Sequence, residues 1–140
     1  MILSICPNPS RDCTLELDDL SVGRLNKIRN KVETFAGKGL NVAIGVSRLG
    51  ADSFATGFMF DEDAKRFEDR LKSENVRFKF INNKGSVRVN YKIIDNKSML
   101  TEINDKGDEV SREKQEELIN YVKDVSRAAS VAVMSGSLPK

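Results

Sequence analysis

The sequence predicts an α/β fold: a mainly parallel sheet flanked by helices, with a smaller sheet projecting from it. Three observations lead there. Apolar strand-like runs alternate with amphipathic helix-like runs, and parallel neighbours need crossover connections of that kind. Two further runs, "CTLELDD" and "RLNKIRNKVETF", alternate apolar and polar positions loosely, as half-exposed strands do. Three polar loops, "NPSRD", "AGKGLN" and "SGSLP", fall at strand ends or helix starts, where ligands bind in such sheets.

Taken in order, "MILSIC" has the length and apolar character of a buried strand, and "PNPSRD" breaks it with two prolines and turn formers. The two half-exposed strands follow and suit a small outlying sheet. From Gly39 the pattern turns helical, with Leu40, Ala43, Ile44, Val46 and Leu49 spaced for one apolar face and Gly50 placed to end the helix. "DSFATGFMF" reads as a strand, "DEDAKRFEDRLKSEN" as an amphipathic helix with acids in its first turn, and "VRFKFIN" as a strand. "SVRVNYKIIDNKSMLTEIN" reads as a hairpin turning at "DNK". "SREKQEELINYVKDVSRA" reads as a helix with Ser111 as N-cap and Gln115 nearby, and "SVAVMSGSLPK" as a strand entering a Gly-Ser loop.

The 140 residues suit one domain, and 39% hydrophobic with 31% charged residues fit a soluble globular chain. With 23 basic against 21 acidic residues and no RNP-type motif, no nucleic-acid partner is expected, although "VRFKFINNKGSVRVNYK" mixes aromatic and basic residues. Cys6 and Cys13 lack CxxC spacing and there is no histidine, so no metal site is expected and both read as reduced thiols of a cytoplasmic protein. "MILSIC" is too short for a membrane span or a signal-peptide core, so no membrane partner is expected.

Chemistry concentrates in few places. In "AGKGLN" the glycines leave backbone N–H groups free at a helix start, where an anion is favoured; a plain turn is the alternative. A Walker A loop is excluded because Val32 stands at the first glycine position and Gly39 follows Lys38. Asp12 follows the first strand in a proline-bounded loop, a place where carboxylates bind sugar hydroxyls or simply form turns. Period two puts Arg88, Asn90 and Lys92 on one strand face, with Val87, Val89, Tyr91 and Ile93 on the other; the basic face suits a phosphate or plain solvent. The charged residues from Asp61 to Asn75 read as a solvated face.

In order and spacing these stretches resemble the first half of the ribokinase-like sugar kinases, most closely the branch of 1-phosphofructokinase and tagatose-6-phosphate kinase. "CPNPSRDCTLELDDLSVGRLNKI" is similar to the family's "TLNPAxDxTxxVDxxxxGxxNR", "AGKGLNVA" to "GGKGxNVA", "VRVNYKI" to "TRxNxKI", and "MSGSLP" to "SGSLP". The resemblance implies a Rossmann-like three-layer body with a β-sheet lid whose strands lie near 13–18, 26–35 and 87–104. Residues 1–140 would be the N-terminal, substrate-binding half of the kinase. It implies phosphoryl transfer from ATP, with Mg2+, to a ketohexose phosphate, fructose 1-phosphate giving fructose 1,6-bisphosphate foremost. Asp12 would hold sugar hydroxyls, and Gly37, Lys38 and Asn41 would line the sugar and its phosphate. Lys27 would be a basic lid residue, Arg88 would bind phosphate beside Asn90, Lys92 would stand near the nucleotide, and Ser135 would face the sugar.

Departures accompany the matches. Ala36 replaces the first glycine of "GGKG", and "FMFDEDAKRF" replaces a glycine-rich "LGGxxGxxF". The family's "GxGD", with its catalytic aspartate and most of the ATP site, is not in this chain, so no catalytic residue is expected here and the chain alone should not turn over. A homodimer clasped through the lid is expected, since a small sheet with an apolar face is marginal alone. The alternative is a non-catalytic sugar-phosphate-binding or self-associating domain derived from such a kinase.

Overall fold

The computed structural model describes residues 1–139. The run "ILSIC" forms β1 (Ile2–Cys6), and Leu3 to Cys6 are buried because apolar side chains leave both of its faces. Along the chain follow β2 (Ser10–Leu17), β3 (Ile28–Ala36), α1 (Lys38–Arg48), β4 (Ser53–Phe60), α2 (Ala64–Ser73), β5 (Arg77–Phe78) and β6 (Ile81–Asn83). Then come β7 (Arg88–Ile94), β8 (Leu100–Asn104), α3 (Arg112–Val125), a 3-10 turn at Ser126–Ala128 and β9 (Val131–Met134).

The main sheet has the order β5-β4-β1-β9, with β6 also paired to β4, and every pairing is parallel. Steps from β1 to β4 to β5 run one way and the return to β9 runs the other. Right-handed crossovers therefore place α1 and α2 on one face and α3 on the opposite face, a three-layer body. Side-chain contacts agree: Ser47 of α1 donates to the Glu74 carbonyl at the end of α2, while Lys79 lies over the Tyr121 ring of α3 at 4.7 Å. The second sheet has the order β3-β2-β7-β8, antiparallel at both margins and parallel between β2 and β7, and forms the expected lid.

Several expectations need correction. The lid strands span 10–17, 28–36, 88–94 and 100–104, so Asp12 sits within β2 and not in a loop: prolines end the break at Pro9, and Ser10 already pairs with Ala36 and Arg88. "VRFKFIN" is two short strands, because the Lys79 N–H turns back to the Ala55 carbonyl and Phe78 stacks on Phe80. Leu49 leaves the α1 face and is 87% exposed, since the helix ends before it with Gly50 at φ +82. Asp63 is not solvated: it is 4% exposed, accepts the Val87 N–H at 3.0 Å and lies 3.7 Å from Arg11, tying α2 to the lid. Ser111 does cap α3, accepting from the Lys114 N–H, and Gln115 reaches back to the Val110 carbonyl.

Apolar burial, not charge pairing, fixes α2. Its buried Phe67 and Leu71 contribute roughly 3–6 kcal/mol together, whereas solvent screens exposed pairs such as Lys65–Asp69 and leaves them little to add. Phe67 also meets Phe35 of β3 edge to face at 5.3 Å, joining body to lid. On the far side of the sheet β9 pairs only with β1 among the described residues. Val131, Met134 and Leu138 stay 52%, 62% and 70% exposed, beside an apolar hollow lined by Phe58, Leu118 and Ile119. Among the described residues no helix is long and apolar enough to cross a membrane.

The tightest packing lies where α1 meets β1. A Cβ on Gly39 would stand 2.5 Å from the Ile5 carbonyl oxygen, and one on Gly57 (φ +145) would overlap the Cys6 carbonyl. Cys6 is 1% exposed, and no side chain caps the start of α1. Burial pushes the Cys6 thiol above its ordinary 9.0, partly offset by N–H groups of Leu40, Gly39 and Asn8 turned toward the sulfur.

Two outcomes follow from this packing. Gly57→Ala should destabilise by about 3 kcal/mol or more in urea unfolding, while Gly45→Ala, in α1 with open space around it, should stabilise by roughly 0.5–1 kcal/mol. Because the Cys6 value is raised on folding, its contribution is whole below the unfolded thiol value and is lost as pH rises through the folded one. The melting temperature should therefore fall as pH is raised above 9.0, and Cys6→Ala should flatten that fall. An equal slope in both proteins would contradict this.

Candidate functional site between lid and body

The register of the lid arranges one of its faces in rows. Ala36, Ser10 and Arg88 form the row nearest the body; Thr34, Asp12, Asn90 and Asn104 the second; Val32, Thr14, Lys92 and Glu102 the third. This face closes over a cleft of about 430 Å3 whose other side is the start of α1, with Gly37, Lys38 and Asn41, and the loop after β9, with Gly136 and Ser137. The cleft thus lies beyond the carboxyl ends of β1 and β9, as parallel sheets dispose their sites.

A connected polar chain crosses the lid rows. Arg88 Nη1 donates to Asn90 Oδ1 at 3.3 Å, and Asn90 Nδ2 donates to Asp12 Oδ1 at 3.1 Å. Ser10 Oγ donates to the same Asp12 oxygen at 3.0 Å, and Lys92 Nζ stands 3.5 Å from the other. A carboxylate offers about four acceptor positions, so Asp12 can still accept from a hydroxyl in the cleft. Arg88 Nε is buried without a partner. Lys38 projects from the first turn of α1, exposed, and forms no ion pair among the described residues. Three cations facing two carboxylates, Asp12 and Glu102, favour a polyhydroxylated anion.

Seven of the residues singled out in the sequence meet here: Asp12, Gly37, Lys38, Asn41, Arg88, Asn90 and Lys92. Two do not. Lys27 lies in the exposed 18–27 loop, off the cleft. Ser135 still belongs to the sheet ladder, its N–H donating to the Ile5 carbonyl, and it is Gly136 and Ser137 that line the cleft. Ser10, Glu102, Asn104 and Ser137 were missed; period two from Asp12 would have found Ser10 had the strand been started at that residue. Tyr91, expected on an apolar face, is 39% exposed because nothing covers the back of the lid there. The two glycines flanking Lys38 serve packing first: a Cβ on Gly37 would stand 2.6 Å from Cys6 Sγ.

Comparison with known proteins agrees with this architecture. Residues 8–140 match the pfkB family carbohydrate kinases. The chain is 34% identical over 140 residues to a tagatose-6-phosphate kinase of Staphylococcus epidermidis, covering all of this chain and 45% of that protein. A Thermotoga maritima structure described as a possible 1-phosphofructokinase superimposes with TM-score 0.85 at 30% identity, over 99% of this chain and 45% of that one. A tetrameric inhibited form of phosphofructokinase-2 from Escherichia coli superimposes with TM-score 0.86 at 22% identity, over 99% and 45%, which speaks for the fold alone. The chain therefore spans just under half the length of these relatives. Within that span the sequence match and the lid-over-body architecture coincide, so the chain belongs to the pfkB family of carbohydrate kinases.

Proposed function

We propose that this chain carries the substrate cleft of a kinase that phosphorylates a ketohexose phosphate with ATP, fructose 1-phosphate foremost and tagatose 6-phosphate second. The observation that carries this reading is the single lid face on which Arg88, Asn90 and Lys92 stand around Asp12, opposite Lys38. In this reading Arg88 and Lys38 hold the substrate phosphate, and Asp12, with Asn41 across the cleft, orients sugar hydroxyls. Each charge-assisted contact to phosphate supplies about 1.5–3 kcal/mol. The lid excludes water, which strengthens those contacts.

ATP with Mg2+ would supply the transferable phosphoryl group when bound, and Lys92, which lines the cleft 3.5 Å from Asp12, is the residue assigned to stand near it. Among the described residues no three His, Cys, Asp or Glu side chains converge on one point. The catalytic base is assigned to the portion of family kinases outside the matched span, so this chain alone binds but does not turn over. The two buried free thiols suit a reducing cytoplasm.

Self-association through the lid is the second part of the proposal. Val32 and Leu100, on the cleft face of the lid, and Ile103, on its other face, are 51%, 57% and 56% exposed, apolar surface that a second copy could cover.

Calorimetric titration with fructose 1-phosphate tests the cleft. Arg88→Ala should weaken binding by roughly ten- to a hundredfold, and Arg88→Lys, which keeps the charge but loses the two-pronged donor, should recover only part of it. Unchanged affinity in Arg88→Ala would remove the assignment. Sedimentation at increasing concentration should show dimers that Leu100→Glu with Ile103→Glu converts to monomers; a strict monomer before substitution rules out the clasp.

A further inference from the structure

We propose that Asn8, which does not line the cleft, is a positioning residue that locks the exit from the lid, whose Asp105 carbonyl holds Arg88, to the loop bearing Ser137. The inference rests on the cleft reading above and adds a residue to it.

Asn8 stands between Pro7 and Pro9. Proline rings fix φ, and a residue before proline is held extended, so the side chain leaves a stiff base. It is 6% exposed. Its Nδ2 lies 3.1 Å from the Lys106 carbonyl oxygen, 3.3 Å from Ser137 Oγ and 3.3 Å from the Leu138 carbonyl oxygen, so two N–H groups serve three acceptors. Its own carbonyl accepts from Arg88 Nη2 at 3.5 Å, and Arg88 Nη1 donates to the carbonyl of Asp105, the neighbour of Lys106, at 3.1 Å. Gly107, at φ +84, lets the connection from β8 to α3 wrap these two side chains. A Cβ there would stand 3.3 Å from Asn8 Oδ1 and 3.4 Å from the Arg88 Cβ and Cδ.

One buried amide thus joins three segments that are remote in sequence: the β1–β2 turn, the exit from the lid and the loop after β9. The loop after β9 bears the cleft residue Ser137, and the exit from the lid holds the cleft residue Arg88 in place through the Asp105 carbonyl. The chemistry calls for a carboxamide. Aspartate would present acceptors to three acceptors and draw the Arg88 guanidinium onto itself, away from a phosphate.

Hydrogen–deuterium exchange of the whole chain, paired with titrations of fructose 1-phosphate and of fructose, tests this. In Asn8→Ala and in the near-isosteric Asn8→Asp, exchange should quicken by about tenfold or more in residues 105–110 and 136–138 while β1, α1 and β4 keep their protection. Ser137→Ala should loosen 136–138 alone. Fructose 1-phosphate affinity should fall by about tenfold in Asn8→Ala, and the preference for the phosphorylated over the plain sugar should shrink. Unchanged protection in both loops, loosening spread through the core, or an unchanged sugar-phosphate preference would overturn the proposal. If the unaltered chain bound neither sugar, the cleft reading would fall by itself, and the exchange pattern would still decide the role of Asn8.

Discussion

Everything in this molecule hangs on how closely the first turn of α1 can approach the carboxyl end of β1. Gly39 has to lie against the Ile5 carbonyl, Gly37 against the Cys6 sulfur, and Gly57 against the Cys6 carbonyl from the neighbouring strand. No side chain larger than hydrogen fits at these points, and no side chain caps this helix start. Lys38 is thereby set at the cleft rim by packing on either side of it. The same junction turns the chain through Pro7–Pro9 into β2, so body and lid share one rigid corner.

The lid carries its chemistry as a register effect. Because β2 and β7 run parallel and in step, Ser10 meets Arg88, Asp12 meets Asn90 and Thr14 meets Lys92, and residues eighty positions apart become neighbours on one face. A slip of one residue would send Arg88, Asn90 and Lys92 to the back of the sheet. The pieces that prevent such a slip are not in the cleft. Asp63 grips the Val87 N–H, and Phe67 holds Phe35.

These particulars show what was readable beforehand. The alternation of apolar and amphipathic runs carried the three-layer body, and period two carried the Arg88, Asn90 and Lys92 face, because both depend on local spacing. Asp63 looked solvated, since its acidic neighbours Asp61 and Glu62 are exposed and only the returning Val87 strand buries it. The break within "VRFKFIN" depends on Ala55, two dozen residues away, reclaiming a hydrogen bond. Ser135 and Ser137 both lie past the end of β9 at Met134, and only the bond from the Ser135 N–H to the Ile5 carbonyl separates their roles. What escaped was set by partners distant in the chain, and pattern alone does not name partners.

The strand order has a bearing on synthesis. β1, made first, lies in the interior of the main sheet; β4 joins one flank, and β9, made last, closes the other. A chain emerging from the ribosome can complete each pairing in turn without reopening an earlier one; the lid is finished before β9 docks, and the cleft only once β9 brings Gly136 and Ser137 to it. The apolar edge at Val131 and Met134 is then a growth front, ready to template the next parallel strand and equally ready to seize a stray one.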